Sequence, residues 1–109
     1  MRQRSSFLAP RLFVAAVAVA AWPAAAQDAT ALRQQALAAT CANCHGTQGR
    51  AVDGAAVPGL AGMPAAYMIE QLKAFKAGTR PATVMHQLAK GFSDAQIDQV
   101  AAYFAAQRK

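Results

Sequence analysis

The sequence predicts a small all-α protein whose helices are separated by long loops. Apolar residues recur at helical spacing in the second half of the chain, and residues 27–109 contain no alternating strand pattern. Between the helical stretches, residues 46–62 carry a glycine or proline every few positions, which is typical of irregular backbone. Long loops are uncommon in a domain of this size, so we expect them to wrap around a bound group.

The first predicted helix begins after Asp28 or Thr30, either of which can cap it, and runs toward the two cysteines. Its apolar positions are Leu32, Ala36 and Leu37.

The second predicted helix begins near Pro64, a residue suited to a first turn, and ends at Gly78. Met68, Leu72 and Phe75 fall at positions i, i+4 and i+7, which places them on one face. Pro81 and the stretch after it are predicted to be a loop.

The last helix has the clearest boundaries. Residues 93–96 (Ser-Asp-Ala-Gln) fit a capping box at its start. Its apolar stripe then follows the spacing i, i+3, i+4, i+7 and consists of Ile97, Val100, Ala101 and Phe104.

Residues 1–26 have the three parts of a secretory signal peptide. Three arginines precede an apolar run of eleven residues, Leu12–Trp22, and three alanines stand before Gln27. Eleven apolar residues are too few to span a bilayer, which takes about 20. We therefore expect cleavage after Ala26, a domain over residues 27–109, a periplasmic location and no stable membrane insertion of the cleaved chain.

Charge excludes nucleic acid as a partner. The expected signal peptide holds three of the eleven basic residues and none of the five acidic ones, so the remaining 83 residues carry +3. No basic run or patch with interleaved aromatic residues is left in them. The exposed cations expected on the surface could dock an acidic protein or could simply be solvated; they are Lys73, Lys76, Lys90, Arg108 and Lys109.

A chain of 83 residues makes a marginal core, which usually needs a disulfide, a metal or a cofactor. The two cysteines, Cys41 and Cys44, are too close in sequence for a disulfide to constrain the unfolded chain much. Together with His45 they form C-x-x-C-H, the motif of covalent c-type haem attachment. Near a helix end, residues i, i+3 and i+4 share a face, so two sulfurs and one imidazole can meet one haem.

Two other interpretations of the motif are less well supported. A thioredoxin-like redox pair would need a βαβ context, which is not visible in the sequence. A structural zinc site would need a fourth ligand, for which His86 is the only other histidine.

With these residues, the chain resembles class I cytochromes c over residues 28–107. More narrowly, it is similar to one haem domain of the cytochrome subunit of flavocytochrome c sulfide dehydrogenases and to halves of related di-haem cytochromes. The matching stretches are CANCHG at 41–46, PGLAG at 58–62, QLKAFKAG at 71–78 followed by Arg80, Met85 followed by AKGFSD at 89–94, and AAYF at 101–104. Those subunits often carry two haem domains, whereas this chain has one C-x-x-C-H motif.

The resemblance implies a class I cytochrome c fold, with three to four helices and loops around one covalent haem c. It implies that the backbone carbonyl of Pro58 accepts a hydrogen bond from the ring of His45, which would orient this iron ligand. It also implies Met85 as the second iron ligand. By the residues alone, Met63, Met68 and His86 remain alternatives, although a Met68 on an apolar helix face is more typical of core packing.

The resemblance leaves two further details to the structure. Many class I cytochromes have a glycine where the first and last helices cross; this chain lacks it, and Ala36 is the expected small residue. Tyr67, Arg80 and Tyr103 could contact the haem propionates or could be ordinary surface and core-edge residues.

The predicted function is electron transfer rather than catalysis. Iron with both axial positions filled by His45 and Met85 offers no vacancy for a substrate. The expected partner is a redox protein, in particular a flavoprotein dehydrogenase of sulfide or another reduced sulfur compound. A general shuttle to an oxidase or reductase is the main alternative, and a haem sensor or peroxidase with an open distal position is a third.

We expect the protein purified from its native host to begin near Gln27 and to carry one covalently bound haem, because the sequence combines a cleavage site with a single C-x-x-C-H motif. Intact mass measured under denaturing conditions checks both points. A mass equal to the bare polypeptide would contradict the attachment.

Overall fold

A computed structural model describes the backbone of residues 22–109 and the side chains from Ala29 onward. Within this part the chain is helical and has no strand, so the all-α prediction is confirmed. The helices are α1 (Trp22–Ala39), α2 (Ala42–His45), α3 (Ala65–Ala77), α4 (Met85–Lys90) and α5 (Asp94–Ala105), with one 3-10 turn at Thr47–Gly49. The described residues form five helices, more than the expected three to four, because the two short helices α2 and α4 add to the three long ones.

Residues 1–21 of the expected signal peptide lie outside the described residues, and the expected cleavage point falls within α1. None of the helices described from Trp22 onward is long and apolar enough to cross a membrane.

The core is built around α5. Its capping box is present, since the Ser93 hydroxyl accepts from the Gln96 backbone N–H and the Gln96 side chain accepts from the Ser93 N–H. All four residues of the predicted stripe are buried, and Val100, Ala101 and Phe104 join Ala38 of α1 and Met68 of α3 in one cluster. Burial of a side chain such as Phe104 contributes about 1.5–3 kcal/mol. The core thus joins three helices that lie far apart in the sequence.

The prediction of the apolar face of α1 was only partly right. Leu37 packs on the core, but Leu32 is 64% exposed and Ala36 is also exposed. The small buried residue is Ala38, at 2% exposure. Two residues turn a helix by about 200°, so Ala36 and Ala38 face nearly opposite sides. Only the last turns of α1 reach the core, which leaves Leu32 outside it.

Helix α3 has the predicted boundaries. Pro64 precedes its first residue, and Gly78 ends it in the left-handed conformation (φ 77°), where a side chain would be strained. The Lys76 ammonium at its end donates to the Phe92 carbonyl oxygen at 2.8 Å and to Asp94 Oδ1 at 2.9 Å. This ion pair lowers the pKa of Asp94, and it shows that Lys76 is engaged within the chain.

The prediction of a loop after Pro81 was wrong at its end, where residues 85–90 form α4. This helix packs against α3, and its Ala89 is fully buried. Methionine, glutamine, leucine, alanine and lysine all favour helix. Six residues are nevertheless too few to show a helical period in the sequence, so the tertiary contact with α3 decides this element.

Candidate functional site

The C-x-x-C-H motif forms a single helical turn between α1 and the loop. Cys41 precedes α2, and its carbonyl oxygen accepts from the backbone N–H groups of Cys44 at 3.3 Å and His45 at 3.0 Å. Neither cysteine is in a disulfide; Cys44 is exposed and Cys41 is half-buried. Burial raises the pKa of the Cys41 thiol, which a weak hydrogen bond with the Thr40 hydroxyl partly opposes. Two reduced sulfurs are therefore held within one turn of an imidazole.

The ring of His45 is oriented by the backbone of Pro58. Its Nδ1 lies 2.7 Å from the Pro58 carbonyl oxygen, the contact that the resemblance implies. Because a carbonyl oxygen only accepts, Nδ1 must carry the ring hydrogen, and the lone pair is left on Nε2. A neutral histidine with a free nitrogen and a fixed ring is suited to bind a metal ion.

Pro58 is positioned by a loop that is bonded to itself at Gly49 and to α5 at Gly62. The Gly49 carbonyl oxygen accepts from Leu60 N–H at 2.7 Å and from Ala61 N–H at 3.1 Å, and Gly62 N–H donates to the Phe104 carbonyl oxygen at 2.9 Å. Gly49 is buried with φ 77°, and a Cβ there would lie 2.7 Å from the Phe104 ring. The loop can reach this position only because residue 49 is glycine.

Three methionines lie in the described chain, and their surroundings differ. Met68 is buried at 4% exposure in the core cluster, and Met63 packs against the same cluster. Met85 begins α4, is half-buried, and is not among the residues of that cluster. Met85 is therefore the methionine of this region that core packing does not account for.

His86, the fourth candidate ligand, has a buried ring nitrogen without a partner. Its Nδ1 is inaccessible to solvent and has no hydrogen bond within the described structure. A buried polar atom left unpaired costs about 1–3 kcal/mol, so such atoms are rare in a complete structure. His86 is the residue that follows Met85, so its unpaired nitrogen indicates that a further group completes the part of the molecule around Met85.

The aromatic and basic residues left open by the sequence have definite positions. The Arg80 guanidinium lies 4.6 Å from the centre of the Phe75 ring, and its Nη1 donates to Gln71 Oε1 at 2.5 Å. Tyr103 packs edge-on against Phe104 with 5.2 Å between ring centres. Tyr67 is 47% exposed. Arg80 is thus bound to α3, and Tyr103 belongs to the edge of the core.

Sequence reasoning missed the role of Arg50. Its Nε donates to the Arg108 carbonyl oxygen at 2.9 Å, and its Nη1 donates to the Gln48 side chain. This contact joins the loop after the motif to the end of α5. It spans 58 residues, and no local pattern around Arg50 could have indicated it.

The donor set fits a covalently attached haem. Two free thiols can form thioether bonds with the porphyrin, and His45 Nε2 can bind its iron. Val84 and Leu88, about half exposed, stand on either side of Met85 and offer apolar surface to a flat apolar group. In the described part of the chain, no three His, Cys, Asp or Glu side chains cluster in a way that could hold a metal ion.

The fold and the site thus define a small helical protein that attaches haem through a C-x-x-C-H turn. The family model described as Cytochrome c matches residues 31–107, and the chain belongs to the cytochrome c family.

Similar proteins support this assignment. The cytochrome subunit of sulfide dehydrogenase from Chlorobaculum tepidum is 36% identical over 80 residues, which are 73% of this chain and 71% of that protein. The thiosulfate dehydrogenase electron acceptor of Thiomonas intermedia (strain K12) is 38% identical over 94 residues, 86% of this chain and 42% of that protein. The structure of cytochrome c4 from Acidithiobacillus ferrooxidans aligns with a TM-score of 0.64 at 36% identity and covers 72% of this chain.

The chain spans less than half the length of the Thiomonas protein and half of the cytochrome c4 chain.

Membership of this family accounts for the attachment residues, since a cytochrome c holds its haem covalently. A covalently held haem supplies reversible one-electron exchange at its iron. Cys41 and Cys44 would hold the porphyrin, and His45 would bind the iron. The Pro58 carbonyl keeps the hydrogen on Nδ1 of His45 and fixes the ring plane, which leaves Nε2 as the nitrogen that would bind the iron.

We expect Gly49→Ala to destabilise the protein by about 2–4 kcal/mol, because it adds the strain of a positive φ to a collision with the Phe104 ring. Gly54→Ala is a matched control, since Gly54 has φ 78° but no atom within 4 Å of an added Cβ. This control should lose only about 1 kcal/mol. Denaturant unfolding of the haem-bearing variants checks the difference, and equal losses would show that the contact with Phe104 is unimportant.

Proposed function

We propose that this chain is an exported single-haem carrier, with His45 and Met85 as axial ligands, that accepts electrons from a dehydrogenase of sulfide or another reduced sulfur compound. The observation that carries the proposal is the 2.7 Å hydrogen bond between His45 Nδ1 and the Pro58 carbonyl oxygen. It leaves Nε2 of a rigidly held imidazole as the only basic ring nitrogen, directly after the two thiols.

Met85 is the second ligand in this proposal. Its support is the contrast among the methionines: Met63 and Met68 pack in the core, whereas Met85 lies outside it beside the exposed Val84 and Leu88. A thioether is a soft ligand that favours the reduced metal and raises its potential. If His45 and Met85 both bind the iron, the haem would exchange electrons without a substrate binding to the metal.

Two relatives support a donor that acts on sulfur compounds. One is named as the cytochrome subunit of sulfide dehydrogenase and another as the electron acceptor of thiosulfate dehydrogenase. For this chain we propose a separate exported flavoprotein as donor. The alanines before Gln27 and the arginines of the first residues support export to the periplasm.

The proposed docking face is the stretch from Met85 to Gly91. It combines the exposed apolar side chain of Leu88 with the exposed cation Lys90, and residues 27–109 carry +3. Transient redox encounters bury less than about 1,200 Å², whereas a stable subunit buries on the order of 1,600 Å² or more. Lys90 suits the first case, because steering by an exposed charge acts mainly on the rate of association.

We expect Met85→Ala to open an axial position, lower the reduction potential and let carbon monoxide bind the reduced protein readily. Met63→Ala is the matched control: it removes a methionine of the same size that packs on the core, so it should cost stability and leave ligation intact. Visible spectra with and without carbon monoxide, together with redox titration, check both variants. A Met85→Ala protein with an unchanged reduced spectrum would refute the assignment of this ligand.

Reduction by a partner tests the proposed donor. The oxidised protein should be reduced rapidly by a sulfide-oxidising flavoprotein plus sulfide, and the second-order rate constant should fall steeply with ionic strength because the encounter is steered by charge. Lys90→Gln should weaken the salt dependence. Copurification as a 1:1 complex that survives moderate salt would favour a stable subunit. Failure with every flavoprotein, combined with rapid oxidation by a terminal oxidase, would leave a general carrier.

A further inference from the structure

The segment that carries Met85 begins and ends at the same place on α3. It leaves α3 at Gly78, where the N–H groups of Thr79 and Arg80 both donate to the Ala74 carbonyl oxygen, at 3.0 and 3.3 Å. The Arg80 guanidinium also stacks on the ring of Phe75, which adds a side-chain contact at the point where the segment leaves α3. The first end of the segment is therefore bound to the last turns of α3.

The other end returns to the same turns through one side chain. The Lys76 ammonium donates to the Phe92 carbonyl oxygen at 2.8 Å and to Asp94 Oδ1 at 2.9 Å. Phe92 is the residue that follows α4 and Gly91, and its own N–H donates to the Ala89 carbonyl oxygen at 3.2 Å. Lys76 thus holds the junction between α4 and α5 and, through it, the far end of α4.

The two bonds of Lys76 differ in how much they contribute to stability. The Asp94 side chain is 68% exposed, so this ion pair contributes little by itself. The bond to Phe92 is partly buried, and hydrogen bonds from a charged donor are stronger than those between neutral groups. Lys76 contributes mainly through the Phe92 carbonyl, which no other side chain is seen to bind in the described structure.

We propose that Lys76 is a positioning residue for the axial methionine: its bond to the Phe92 carbonyl closes the segment of residues 79–92 and keeps Met85 from leaving the iron. The inference rests on the proposed function, in which Met85 is the ligand. Loss of Lys76 removes the bond at the C-terminal end of α4 and leaves the packing of Ala89 to hold that end, while the contacts among Ala38, Met68 and Phe104 hold the remaining helices. The segment then opens more often, without unfolding of the domain.

The test measures how fast Met85 dissociates in the haem-bearing protein. At saturating imidazole, the rate of imidazole binding to the oxidised protein is limited by the loss of the methionine. We expect Lys76→Met, which keeps most of the apolar stem and loses the charge, to raise this limiting rate about tenfold, as loss of one charge-assisted hydrogen bond predicts. Lys76→Arg should restore most of the wild-type rate, because it keeps both the charge and the donors.

Lys73→Met is the matched control, since Lys73 is an exposed lysine of the same helix with no hydrogen bond to the segment. It should leave the limiting rate unchanged. Asp94→Asn removes the ion pair and keeps the bond to Phe92, so it should raise the limiting rate by less than threefold. This variant can still be measured if Lys76→Met fails to fold. Equal limiting rates for Lys76→Met and Lys73→Met would overturn the inference. If Lys76→Met does not fold, Lys76→Gln takes its place in this comparison.

The same assay separates this inference from the assignment of Met85. Imidazole should bind Met85→Ala without any limiting rate, because no protein ligand has to leave. If Met85→Ala instead behaves as the wild type does, the proposed function fails and the role of Lys76 fails with it. If Met85→Ala binds freely and Lys76→Met matches Lys73→Met, only the role of Lys76 fails.

Discussion

The hydrogen bond from His45 to the Pro58 carbonyl is the contact on which the rest of the site depends. It determines which ring nitrogen is free and how the ring is turned. Most of the irregular backbone between residues 46 and 62 serves to bring Pro58 to this point. That stretch is anchored to α5 through Gly49 and Gly62, so the geometry of the proposed iron ligand His45 depends on the last helix.

This dependence explains why so small a core suffices. The buried cluster joins α1, α3 and α5 through a few side chains, of which Phe104 also shapes the loop at Gly49. The exposed Val84 and Leu88, together with the unpaired His86 Nδ1, leave the region around Met85 incomplete without a further group. Core and cofactor are thus complementary: the helices hold the loops, and the haem would supply the apolar body between them.

The two proposed iron ligands are positioned by different means. His45 is one residue beyond a covalent attachment point and is fixed by a backbone carbonyl. Met85 stands in a segment whose two ends are bonded to the last turns of α3 and whose helix α4 packs against α3 between them. The histidine side is therefore rigid by construction, whereas the rigidity of the methionine side depends on side chains such as Lys76. We therefore expect ligand exchange to begin on the methionine side.

The sequence alone determined the helical class, the boundaries of α3, the start of α5 and the attachment motif, because each depends on residues within a few positions of one another. The capping box at Ser93 and the C-x-x-C-H turn are local in this sense. Only the tertiary structure decided that α4 is a helix and that Ala38, not Ala36, is buried against α5. It also decided that Lys76 and Arg50 bind carbonyl groups 16 and 58 residues away. Such contacts form when separate helices pack together, and no local pattern in the sequence records them.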